Sequence, residues 1–144
     1  MKKLKLIAAG LTATLALSAC STNSSMMDDI NSTSDSISRF ASGTFTAQID
    51  NTDVKSVYDA TELTINNTNN YNIANNTLTA KSAKISGVIK TEKTMFDKEG
   101  KTPYSIEIIK DGNSSVNLYI KIGALGDKQS SVDLLSSIRA NLGL

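Results

Sequence analysis

The 144-residue chain carries 15 basic and 14 acidic residues, a single cysteine, and neither histidine nor tryptophan. These absences remove Ser-His-Asp and Cys-His catalysis, most zinc and copper sites and haem ligation. A formal charge of +1 is not the concentrated basic field of a nucleic-acid binder, so no nucleic acid partner is expected.

The first segment has the three parts of an export signal: Lys2, Lys3 and Lys5 as a basic head, an apolar stretch from Leu6 to Leu17, and small residues before Cys20. The apolar stretch is too short for a helix crossing a ~30 Å hydrocarbon core. Ordinary secretion with cleavage after Ala19 is the alternative, but Leu17-Ser18-Ala19-Cys20 is the fuller match to a bacterial lipobox. Residues 1–19 are therefore expected to be a lipoprotein signal peptide, and Cys20 the site of lipidation by a diacylglycerol and an amide-linked acyl chain such as palmitate. One acyl chain binds membranes marginally, whereas several anchor stably. Ser21, where the sorting rule for inner-membrane lipoproteins has Asp, points to the outer membrane in a host with two membranes. Loss of the three leader lysines leaves 12 basic against 14 acidic groups. With Cys20 acylated, no disulfide is available to the mature protein.

Residues 20–39, rich in Ser, Thr, Asn and Asp, read as a tether whose flexible form has a typical span of ~25 Å. Met27, Ile30, Ser34, Ile37 and Ala41 also fall at helical spacing, the competing expectation for this stretch. A domain is expected over 40–144. Its first strand is the alternating Phe45, Ala47 and Ile49, against Thr44, Thr46 and Gln48. Asn51, Thr52 and Asp53 then offer caps for a helix with Val54, Val57, Tyr58, Thr61 and Ile65 on one side, weakening at β-branched Thr64 and Ile65.

The Asn-rich stretch Asn66 to Thr77 reads as a surface loop, because side-chain amides compete with backbone hydrogen bonding. Within it Tyr71 is a candidate binding anchor, set against the plainer role of capping the core edge. Three strands are expected next: Leu78 to Thr91 with a bulge near Ala83 or Gly87, Tyr104 to Lys110, and Val116 to Ile122, the last two joined through Asp111-Gly112-Asn113. A final helix presents Ser131, Leu134, Leu135, Ile138 and Leu142, with Ser130 and Asp133 at capping-box spacing. The sum is an α+β domain: an antiparallel sheet of about four strands in the order strand, helix, three strands, helix, with both helices on one face.

Several motifs fail on inspection. Gly100-Lys101-Thr102 lacks the glycine a phosphate-binding loop needs at Met95, and sits between strands. Ser82 and Lys84 share a strand face without other catalytic context, and the carboxylates show no dyad spacing. Gly123-Ala124-Leu125-Gly126 could cradle an anion before the last helix, although a glycine-requiring turn accounts for it too. Gly123, Gly126 and Asp127 join Tyr71 as the possible binding surface.

The run Ile120-Lys121-Ile122-Gly123-Ala124-Leu125-Gly126-Asp127, followed by Lys128-Gln129-Ser130-Ser131, resembles a family of small bacterial lipoproteins and secreted proteins of unknown function, over about Phe40 to Leu142. The resemblance implies no activity and no catalytic residues. The expectation is a non-enzymatic envelope lipoprotein without cofactor or metal, contacting the membrane through Cys20 and an envelope protein or glycan through its domain. The alternatives are a surface-exposed host-interaction factor and an inhibitor of a lysozyme-type hydrolase acting through Asn66 to Thr77 or Met95 to Pro103.

Overall fold

The computed structural model describes residues 29–32, 36–95 and 97–144, with side chains from Ser38 onward; Cys20 and the signal segment lie outside them. Seven strands and two helices appear among these residues, in the order β1 (Asp29–Ser32), β2 (Ser36–Ala41), β3 (Thr44–Asp50), α1 (Val54–Asn67), β4 (Tyr71–Leu78), β5 (Ser82–Lys90), β6 (Lys101–Asp111), β7 (Ser115–Ile122) and α2 (Lys128–Leu142). The sheet order is β1-β2-β3-β7-β6-β5-β4, with every neighbouring pair antiparallel. After β3 the chain crosses to the far edge through α1, and the β4 to β7 meander returns to close on β3.

The α+β class and single antiparallel sheet agree with the sequence reading, but four strands was too few. Six strands of six residues or more form the body of the sheet, and the four-residue β1 extends it at one edge. Residues 29–32 and 36–39, expected to be tether or helix, are strand. Asn66 to Thr77 is not a loop: it supplies the end of α1 and most of β4. Leu78 ends β4 rather than starting the following strand, and the bulge lies in β4, where the register steps between Ile73 and Asn75 opposite Gly87 and Ser86.

One face of the sheet is buried. Phe45, Ala47 and Ile49 of β3, alternate residues Val116 to Ile122 of β7, Tyr104, Ile106 and Ile108 of β6, and Ala83 and Ile85 of β5 meet Val57, Ala60 and Ile65 of α1 and Leu134, Leu135 and Ile138 of α2. The helix α1 lies over β4, β5 and β6, and α2 over β3 and β7. The opposite face carries Thr46, Tyr119, Glu107 and Lys84 in one cross-strand row, without a helix over it. Period-two alternation places apolar residues on one face only, and each helix buries its stripe there.

Local chemistry fixes the helix ends. Asp53 caps α1 by accepting from the Ser56 amide at 2.8 Å, and Asp127 caps α2 by accepting from the Ser130 amide at 3.0 Å. The cap of α2 is thus Asp127 and not Ser130, three residues earlier than the capping-box spacing indicates. The last turns of α1 persist despite their β-branched residues. The hydroxyls of Thr61, Thr64 and Thr68 donate to the carbonyls of Val57, Ala60 and Thr64 at 2.6, 2.7 and 2.7 Å, so burying the first two leaves no unpaired donor. Pro103 is tolerated inside β6 because its nitrogen faces the side where β7 has already ended. Its carbonyl there accepts from the Gly123 amide at 2.8 Å.

Candidate binding surface

The four residues proposed as a surface gather at one end of the molecule, but in different roles. Tyr71 opens edge strand β4 and is half-buried. Its ring sits 5.3 Å from that of Tyr104 at an interplanar angle of 56°, a tilted aromatic pair. The Tyr104 hydroxyl donates to the Asn72 carbonyl at 3.2 Å. That carbonyl lies over Gly87, where a Cβ would come within 1.8 Å of it. The bulge in β4 therefore dictates glycine at position 87, and Tyr104 satisfies the carbonyl that the bulge displaces. Burial, with a smaller contribution from Tyr71, pushes the Tyr104 phenol up to about 12. The Tyr71 phenol is also raised, by burial first and then by the charges of Asp127 and Asp133.

Tyr71 forms one wall of an open cleft of about 230 Å³ whose other walls are Thr68, Ser130, Asp133, Leu134 and Ser137. Its hydrogen-bonding character follows from what is already committed. The hydroxyl protons of Thr68, Ser130 and Ser137 go to the Thr64 carbonyl, the Asp127 carboxylate and the Asp133 carbonyl. Gln129 occupies one oxygen of the Asp133 carboxylate at 2.9 Å. The cleft is left with hydroxyl lone pairs, a carboxylate oxygen and the Tyr71 ring with its hydroxyl, an arrangement rich in acceptors.

Asp127 caps α2 and remains exposed. Its carboxyl is held below its ordinary value by the Ser130 amide, and next by the Ser130 hydroxyl. Gly126, at φ +80°, presses so closely on the β2–β3 turn that a Cβ would lie 2.1 Å from the Gly43 carbonyl oxygen. The Gly-x-x-Gly run is a braced turn. Gly123 also borders a groove of about 290 Å³ with Pro103, Tyr104, Ser105, Lys121 and Ala124.

Tyr104, Thr68 and Ser137 are not site candidates in the sequence, and Ser130 and Asp133 enter it only as a capping box. A signal was present for α2, where Ser130, Asp133, Leu134 and Ser137 follow i, i+3, i+4, i+7 spacing and must share a face. Tyr104 had none, because its partner Tyr71 lies on a strand not recognised as one. Ser82 and Lys84, as expected, share the uncovered face; the Ser82 hydroxyl is engaged with Thr79 in the β4–β5 turn. Among the described residues no group of three or more His, Cys, Asp and Glu side chains is placed to hold a metal ion, and no helix is long and apolar enough to cross a membrane.

No curated protein matches the chain. A family model described as a protein of unknown function, DUF3568, matches residues 3–141, nearly the whole chain. With its whole sheet, α1 and all but the last residue of α2 inside that match, the chain belongs to the DUF3568 family of proteins of unknown function.

Proposed function

We propose that this protein is a lipid-anchored, non-enzymatic binding module of the bacterial cell envelope, held at the outer membrane through Cys20. The observation that carries the reading is Leu17-Ser18-Ala19-Cys20 directly after a basic head and an apolar stretch of signal-peptide length. The cleft beside Tyr71 supports the binding half of the proposal, since it offers an aromatic wall and acceptor groups. Its volume lies below the range typical of whole drug-sized ligands, so it suits one group of a larger partner, an envelope glycan or protein.

The test is metabolic labelling with a palmitate analogue, together with membrane fractionation of cells expressing the full chain or Cys20→Ser. The wild-type chain should carry label and sediment with membranes, and the variant should lose both while keeping its folded domain. Membrane retention of an unlabelled Cys20→Ser chain would refute the anchoring mechanism.

A further inference from the structure

The two most exposed large apolar side chains among the described residues are Leu125, 90% exposed, and Met95, 88% exposed. Leu125 sits in the β7–α2 loop and Met95 in the loop joining β5 to β6. The strand registers put both loops at the same end of the sheet: Lys90 pairs with Lys101 where β5 leaves and β6 begins, and Tyr104 pairs with Ile122 where β7 ends. The Ser42-Gly43 turn belongs to this end as well, since a Cβ at Gly43 would lie 2.5 Å from the Leu125 carbonyl oxygen.

The chain arrives from the same end. Asp29 pairs with Arg39, three residues before Ser42, and β1 runs away from that turn. At about 3.3 Å per residue, Asp29 lies roughly 10 Å below the turn. The nine residue steps from Cys20 to Asp29 span at most ~30 Å. A bilayer gripping Cys20 would therefore be within reach of the loops that carry Leu125 and Met95.

Neither side chain has a role in the core, yet Leu125 is presented on a rigid mount, because the Gly43 and Gly126 backbones lock its loop against the neighbouring turn. In the sequence Met95 is flanked by Lys90, Lys93, Lys98 and Lys101, balanced almost one for one by Glu92, Asp97 and Glu99. Asp97 is occupied in shaping the loop, accepting from the amides of Glu99 and Gly100. Near-neutral flanks with protruding apolar tips suit insertion into a lipid interface rather than capture by long-range charge.

We infer that this end of the domain docks on the bilayer that holds its own anchor, with Leu125 and Met95 inserted among the lipid head groups, so that the domain has a fixed orientation. The inference rests on Cys20 lipidation. The β4–β5 turn at Thr79-Ala80, at the opposite end of the sheet, then points away from the membrane.

The experiment uses the full lipidated chain in proteoliposomes of outer-membrane phospholipids. Acylation blocks Cys20, so Leu125→Cys, Met95→Cys and, at the opposite end, Ala80→Cys each accept one environment-sensitive fluorophore. Labels at 125 and 95 should shift to the blue and be quenched by nitroxide lipids severalfold more than the label at 80, with little change at high salt. Equal, water-like emission at all three sites in membrane-bound protein would overturn the docking and leave the anchor standing. Shielding at 125 without quenching by lipid would overturn it in favour of a protein cover. A chain without acyl label would overturn the anchoring reading itself.

Discussion

At the scale of single residues, two glycines in different turns separate two costs. Gly112, in the β6–β7 turn at φ +66°, has open space where a Cβ would go, whereas Gly126 combines φ +80° with the Gly43 backbone 2.1 Å away. Gly112→Ala should therefore cost only the left-handed backbone, about 1–2 kcal/mol. Gly126→Ala forces two turns apart and should cost roughly twice that or more, compared by urea unfolding of both variants. The same residue-level view explains why Gly123 and Gly126 drew attention in the sequence. A glycine pair beside an aspartate looks alike whether it faces a ligand or another backbone, and only Gly43 of the β2–β3 turn distinguishes the two.

At the scale of elements, the two helices depend on carboxylate caps, and α2 offers a clean test. Asp127→Ala should cost about 1 kcal/mol through loss of the acceptor for the Ser130 amide. The folded-state carboxyl of Asp127 lies below its ordinary 3.8. Its contribution is thus complete above that value and is lost as pH falls through the folded one. Asp127→Asn, which keeps an acceptor and does not titrate, should flatten this part of the acid unfolding curve; an unchanged acid slope would contradict the assignment.

Legibility also divides by element. β3, α1, β6, β7 and α2 could be read because each buries one face, and burial writes a period into the sequence. β4 could not, since its pattern of burial is confined to Tyr71 and Ile73. Beyond Ile73 it holds its place by ladder hydrogen bonds to β5, which do not depend on side-chain type, and by Asn76 donating to Glu62 at 3.2 Å. β1 and β2 were hidden similarly: a spacing that suits a helix over Ile30 to Ala41 also fits two short antiparallel strands. The candidate cleft was legible in Tyr71 alone, because its other walls are ordinary helix-surface residues until the edge strand is placed beside them.

At the scale of the whole molecule, the position of β2 resets the boundary of the domain. Phe40 pairs with Phe45 and Ser38 with Ala47, and Ser38 is buried. A chain starting at Ser42 would leave β3 as a bare edge beside the core. It should unfold at lower urea and aggregate more readily than one starting at Asp29, as measured by unfolding midpoints and light scattering on the two truncations. Equal midpoints would show that β1 and β2 are accessory.

The closure of β7 onto β3 has a further consequence for how such a chain takes shape. Phe45 meets Ile120 across the middle of the sheet, a contact between segments separated by most of the domain. Contacts of that separation form late and slowly. A chain emerging from its N-terminus through a narrow translocation channel would present β2 and β3 long before β7, and throughout that interval the sheet would lack its central seam. The topology thus keeps the polypeptide threadable until its last strand arrives, and makes the final third of the sequence the step that commits it to one shape.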